Sequence, residues 1–152
     1  MGTPSVEQLN EMLRGYDRLY GLELVEFDEA LVRARVQVRE ELCQPMGPVH
    51  GGVYASLAES MASLATALAV MPNGDAALGL SNNTSFMRPI TEGFVYALAT
   101  RVHRGRTTWI WDVEFSDDAG RTCALTRMTI AVRPMRRDEA PLALGEWESA
   151  AS

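Results

Sequence analysis

Between Leu42 and Gly74 the chain carries a single Asp, Glu, Lys or Arg, which is Glu59. It stands inside QPMGPVHGGVYASLAESMASLATALAV, residues 44–70. A lone carboxylate among Ala, Leu and Met is costly to bury without a partner. Glu59 is therefore the first candidate for chemistry, as a nucleophile or as a general base. Nine residues upstream lies His50, followed by Gly51 and Gly52. Glycines opening a helix leave backbone N–H groups exposed at the positive end of the helix dipole. Such donors can hold an oxygen that gains negative charge during acyl transfer. Cys43, just before Gln44, is a second conceivable nucleophile, but no second histidine lies near it in sequence to activate it. A Ser-His-Asp triad fits poorly, because the other histidine, His103, sits at the end of a strand-like stretch.

The element that must position Glu59 is a helix. Val53, Leu57, Met61, Leu64 and Leu68 recur at three- and four-residue spacing and predict one apolar face. Ser56, Glu59, Ser63 and Thr66 fall on a second, polar stripe. Ser56 and Thr66 read as small residues that let two helices approach, and His50 as a site residue that mainly positions, capping the helix or satisfying the loop backbone, with some contact to the reacting group. Eight residues separate Gly51 from Glu59, roughly 12 Å along a helix. A reacting carbonyl must lie about 3 Å from both its oxyanion donor and its attacking group. One helix can hardly supply both, whereas two antiparallel copies can. The spacing therefore predicts a site that spans a subunit interface. There, burial would disfavour the charge on Glu59, and the facing helix N-terminus would favour it.

Around this helix, residues 5–19 predict one amphipathic helix capped by Ser5 that covers a sheet. Residues 21–27 and 30–38 predict two strands joined at Asp28-Glu29, with Arg33 and Arg35 facing solvent. Pro72-Asn73-Gly74-Asp75 stops the central helix. Residues 77–87, 94–103, 107–115 and 122–132 predict four strands whose short connections suit an antiparallel meander. Trp109 and Trp111 share strand parity and read as core. The pattern predicts an α+β fold in which one sheet wraps one long helix. Residues 1–137 form one domain, and 138–152, with Trp147, read as a loosely attached tail.

Composition narrows the partners. The chain has 152 residues, 47% of them hydrophobic and 22% charged, as in ordinary globular domains. The net charge of −6 argues against nucleic acid as a partner. No apolar run reaches the ~18 residues of a membrane span, and no signal peptide opens the chain, so a cytoplasmic protein with reduced thiols is expected. Two histidines and two distant cysteines offer no metal set. All fourteen basic residues are arginine, and nine lie between Arg88 and Arg137. Singly they read as a solvated face. Beside Thr107-Thr108, Arg101, Arg104, Arg106, Arg136 and Arg137 could as a set hold phosphate.

Several motifs together resemble the hotdog-fold acyl-CoA thioesterases, in particular the Arthrobacter-type 4-hydroxybenzoyl-CoA and phenylacetate-pathway branch. They are QPMGPVHGGVYASLAE (44–59), SNNTSFMRP (81–89), TTWIWDV (107–113) and DAGR with IAVRP (118–134). The resemblance covers roughly residues 40–137. It implies a homodimer, or a homotetramer built as a dimer of dimers, that hydrolyses a CoA thioester without a cofactor. It implies that the Gly51 N–H holds the thioester carbonyl and that Gln44 helps to place it. Glu59 attacks or activates water, and Ser63 orients the water or the carboxylate. Arg88, Thr107 and Arg136 bind the CoA nucleotide. Arg106 stands where the family carries serine, and a direct phosphate contact there is expected. The resemblance implies an aryl-CoA substrate, while Tyr54, Leu57 and Met61 are compatible with other small acyl groups. Two rival readings are a non-catalytic acyl-CoA-binding module and an enoyl-CoA hydratase.

Overall fold

The computed structural model describes residues 4–139. The chain runs α1 (Val6–Met12), α2 (Gly15–Tyr20), β1 (Glu23–Phe27), β2 (Leu31–Gln37), α3 (Gly51–Val70), β3 (Asp75–Phe86), β4 (Phe94–Arg104), β5 (Thr108–Ser116) and β6 (Thr122–Pro134). All six strands form one antiparallel sheet, in the order β1-β2-β4-β5-β6-β3. The sheet packs against α3, which is the expected hotdog layout.

Alternation decides which strand faces meet the helix. In β2, Val32, Ala34 and Val36 are buried, while Arg33 and Arg35 point outward to Glu26 (2.9 Å) and Glu23 (2.8 Å). In β5, Trp109, Trp111, Val113 and Phe115 are buried, so both tryptophans belong to the core as their parity predicts. α3 is long and apolar enough to cross a membrane by length and composition. In this fold it is the helix that the sheet covers, with Leu57, Ala58, Met61, Ala62 and Ala65 almost fully buried.

Four expectations change. The buried face of α3 is rotated from the predicted one: Leu64 and Leu68 are only half-buried, and the alanines take the centre. Small side chains let the sheet approach closely, and Thr66 goes with them. It is fully buried, donates to the Ala62 carbonyl (2.8 Å) and accepts from Trp111 Nε1 (3.0 Å). It therefore serves its own core and not a second helix. The N-terminal helix is broken at Leu13 and Arg14, because Gly15 adopts φ 57°, a turn conformation open to glycine. Ser5 does cap α1, in a reciprocal box with Gln8. Of the two pieces, α1 packs on β1, and α2 packs on α3 through Asp17–Ser60 and Tyr16–Ser56 contacts.

The fourth change is topological. Only β4, β5 and β6 form a meander; β3 leaves the sequence order and pairs with the far side of β6. The segment 87–93 is not a hairpin turn. Its backbone is laced to the loop before α3, with Val49 N–H donating to the Ile90 carbonyl (2.8 Å), and Ile90 is buried. It carries the chain from one sheet edge to β4. The tail expected beyond residue 137 lies largely outside the described residues, Trp147 included. Glu139 is tied to Arg133 and accepts from the Arg136 N–H (2.9 Å).

Candidate active site

α3 runs antiparallel to β3, and three contacts fix its register. Near its start, Gly51 lies under the Phe86 ring, so closely that a Cβ there would sit 2.7 Å from Phe86 Cζ. One turn on, Asn82 Nδ2 donates to the Ala55 carbonyl (2.9 Å). Farther on, the Glu59 carboxylate rests over Gly79, its Oε1 3.6 Å from where a Cβ would stand. A side chain at 51 would therefore displace the exposed Phe86 ring.

The N-terminal end of α3 opens into a cleft of about 390 Å³ lined by Gln44, Gly51, Tyr54, Phe86, Arg88 and Cys123, among others. His50 is the N-cap: its Nδ1 accepts from the Gly52 N–H at 2.9 Å. That bond leaves Nε2 as its free ring atom and supports the capping role. The Gly51 N–H has no acceptor among the described residues. A helix-end donor thus stands at the cleft beside an exposed glutamine and an exposed arginine.

The other candidates gather elsewhere. Thr107 accepts from the Val132 N–H (2.9 Å) and Arg136 follows Met135, whose N–H donates to the Gly74 carbonyl (2.9 Å). Both lie by the start of β3, whereas Arg88 follows its end. The strand between spans roughly 35 Å. Glu59, over Gly79, belongs to the same half as Thr107 and Arg136. The expected site residues therefore form two half-sites in one chain: Gln44, His50, Gly51 and Arg88 at one end, and Glu59, Arg106, Thr107 and Arg136 toward the other.

Glu59 is exposed in the single chain, not buried as its apolar surroundings in sequence suggest. It sits on the outward stripe of α3, and the sheet covers the opposite stripe. Ser63, one turn later, is half-buried and makes no side-chain hydrogen bond among the described residues. The arginine set also divides. Arg101 and Arg104 both pair with Glu29 and lie over the Trp109 ring, 4.9 and 5.0 Å from its centroid. They leave the phosphate set. Arg88, Arg106 and Arg136 are exposed and have no carboxylate partner among the described residues.

Sequence reasoning missed Phe86 and Cys123 as cleft residues. Phe86 was hidden because an aromatic at a strand end reads as core, yet it is 60% exposed. Cys123 comes into the cleft only through β3–β6 pairing. Its thiol donates to the Arg121 carbonyl (3.1 Å), and burial pushes its pKa up.

Comparison with known proteins gives a consistent picture. The sequence model of the Thioesterase superfamily matches residues 46–124, more than half of the chain. A Pseudomonas aeruginosa thioesterase is 37% identical over 134 residues, 88% of this chain and 92% of the relative. Its crystal structure, of a mutant with one glutamine changed to alanine, has a TM-score of 0.83 at 36% identity and covers 88% of this chain and 97% of that one. The 1,4-dihydroxy-2-naphthoyl-CoA hydrolase of Listeria monocytogenes is 31% identical over 123 residues, 81% of this chain and 99% of the relative. A Staphylococcus aureus thioesterase at 27% identity has been solved as two alanine mutants, with TM-scores of 0.76 and 0.74. They cover 80% and 78% of this chain and 100% and 98% of that one. One mutant lacks a glutamate and the other a glutamine fifteen positions earlier.

Proposed function

The chain belongs to the thioesterase superfamily and is a thioester hydrolase, and from that premise we propose that it hydrolyses an aryl-CoA thioester in a site shared by two copies of the chain. The observation that carries this is the cleft at the start of α3, where the Gly51 N–H, without an acceptor among the described residues, stands beside Gln44 and Arg88. The substrate carbonyl accepts from Gly51 and from the Gln44 side chain. As the carbonyl carbon becomes tetrahedral, its oxygen gains charge and the helix-end donor binds it more strongly.

The attacking group comes from the second copy. β3 is an edge strand, exposed over most of its length, with Leu78 and Leu80 uncovered. An antiparallel copy paired along this edge about Asn82–Asn83 sets Phe86, and the Gly51 under it, opposite Gly79 of the other copy. Glu59 of that copy lies over its Gly79. The same pairing brings Arg106, Thr107 and Arg136 of one copy toward the cleft of the other, where they hold the CoA phosphates with Arg88. Glu59 then attacks the carbonyl and the C–S bond breaks, releasing CoA thiolate and leaving a mixed anhydride that water hydrolyses to the free acid. Alternatively, Glu59 takes a proton from a water that attacks the carbonyl and displaces the CoA thiolate directly. Ser63 holds the carboxylate or that water. Two such dimers make the tetramer that the resemblance implies.

Two further observations support the reading. Gln44 and Glu59 are fifteen residues apart, the spacing of the two residues replaced in the S. aureus thioesterase. The Listeria relative is named for the CoA thioester of a hydroxylated aromatic acid. The test is release of free thiol from benzoyl-, hydroxybenzoyl-, phenylacetyl-, hexanoyl- and palmitoyl-CoA by wild type and Glu59→Ala. Turnover that favours the aryl esters and depends on Glu59 is expected. Turnover unaffected by the substitution removes Glu59 from the mechanism, and a preference for palmitoyl-CoA removes the aryl assignment.

A further inference from the structure

Where β6 ends, the sequence RPMRRDE (133–139) places three arginines and two carboxylates in seven residues. This segment closes on itself. Arg133 donates through Nη1 to the Pro134 carbonyl (2.9 Å) and to Glu139 Oε2 (2.9 Å), and through Nη2 to Glu139 Oε1. A two-armed pair of this kind fixes orientation as well as charge. Glu139 Oε2 also accepts from the Arg136 N–H (2.9 Å), and the Glu139 N–H donates to the Arg136 carbonyl (3.1 Å). Side chain and backbone of one residue thus hold the backbone of Arg136, with the reciprocity of a capping box. The Arg133 guanidinium, and after it the Arg136 N–H, hold the Glu139 carboxyl down at about 2, so it is ionised throughout the neutral range.

The turn is anchored to the sheet. Arg133 pairs in register with Ala76 of β3, and the Met135 N–H donates to the Gly74 carbonyl (2.9 Å). The arginines on it have different states. Arg133 is half-buried and committed to Glu139. Arg136 has its backbone held, while its side chain is exposed and has no carboxylate partner among the described residues. A cation on a loose chain end loses conformational freedom when it meets an anion. A cation on a closed turn has been ordered beforehand and binds at lower cost.

We propose that Glu139 is a positioning residue for the nucleotide half of the substrate: by bridging Arg133 to the backbone of Arg136, it holds the Arg136 guanidinium where it meets a phosphate of CoA. This rests on the CoA-thioester reading above. The effect is confined to the CoA handle, which is remote from the reacting carbon. The opposite role is also definite. If Glu139 only neutralised Arg133, its removal would free a second cation and strengthen phosphate binding. The two roles predict changes of opposite sign.

The test uses Glu139→Ala, Glu139→Gln, Arg136→Ala and the double variant Glu139→Ala/Arg136→Ala. Each is assayed on the best CoA ester of the panel above and on the N-acetylcysteamine thioester of the same acid. Glu139→Ala should raise KM for the CoA ester at least about threefold and leave its kcat, and the KM of the short thioester, unchanged. Glu139→Gln keeps an acceptor for the Arg136 N–H and should fall between wild type and Glu139→Ala. In the Arg136→Ala background, Glu139→Ala should add little, because the two residues act as one unit. An unchanged KM for the CoA ester overturns the proposal. So does a lower KM, which would make Glu139 a neutraliser of Arg133. So does an equal loss on both thioesters, or a fall in kcat, which would mean that Glu139 supports the fold at large. If Arg136→Ala itself leaves the KM of the CoA ester unchanged, the nucleotide contact in the reading above fails and the proposal falls with it. A CoA-specific effect of Arg136→Ala beside a silent Glu139→Ala removes the proposal alone.

Discussion

The two ends of β3 are unequal. At the Phe86 end, a helix N-terminus, a capped histidine and the laced 48–50 and 87–93 segments build a concave cleft with aromatic walls. At the Asp75 end, Arg106, Thr107 and Arg136 lie exposed on an open surface, and Glu59 stands exposed between the two ends. One end has the donors to hold a carbonyl but no attacking group. The other has the carboxylate and the cations but no walls. The difference teaches that the single chain carries two complementary half-sites. An antiparallel partner is the simplest way to join them, because a two-fold axis on β3 exchanges its ends.

The sharpest way to break that comparison is complementation. Gln44→Ala damages the first half-site and Glu59→Ala the second, and each alone should lower kcat by two or more orders of magnitude. Co-expressed, they form mixed dimers in which one of two sites is intact, and activity should return to about a quarter of wild type. No recovery would mean that each chain uses its own Glu59. Next in size, Leu80→Asp puts a charge on the free edge of β3. Sedimentation should show dissociated chains, thioesterase activity should fall by at least tenfold, and helical content should persist. An active monomer would place the whole site in one chain. Smaller again, Arg106→Ala should raise KM several-fold for CoA esters and leave the KM of an N-acetylcysteamine thioester unchanged. An equal effect on both removes Arg106 from nucleotide binding.

Thr66→Val addresses the other side of α3. It removes the acceptor for Trp111 Nε1 in the core, and denaturant unfolding should show a loss of about 1–3 kcal/mol with kcat nearly intact. The smallest effect concerns pH. The Arg127 guanidinium holds the Asp112 carboxyl below the usual range. A lowered carboxyl contributes stability above its unfolded value, lost as pH falls through the folded one. This exposed pair contributes roughly 0.2–1 kcal/mol. Wild type should exceed Asp112→Asn by that much at neutral pH, and unfolding titrations should converge well below pH 4.

Much of this was legible because it is local. Helix periodicity, strand alternation and the Pro-Asn-Gly stop report short-range geometry, and the structure keeps α3 and all six strands close to their expected bounds. The HGG opening and Glu59 were conspicuous because an apolar stretch with one charge has few explanations. What failed depends on distant residues. Leu64 and Leu68 follow the helical period as well as Leu57 does, but Trp111 and its neighbours chose the alanine face. Arg101 and Arg104 looked like members of a phosphate set until Glu29 came within reach. β3 looked like part of a meander because its connection is short, and only the pairing of segment 87–93 with the loop before α3 shows where it goes.

By itself the sequence determined the elements, the residue types able to do acyl-transfer chemistry, and the fact that Gly51 and Glu59 are too far apart on one helix to share a carbonyl. Those follow from backbone geometry and side-chain chemistry, which act over a few residues. Only the tertiary structure decided that Phe86 closes over Gly51, that Tyr54 joins the wall of the cleft, and that β3 is the last strand of the sheet among the described residues. These depend on which strand pairs with β6 and which stripe of α3 the sheet covers, choices made by packing across the whole chain.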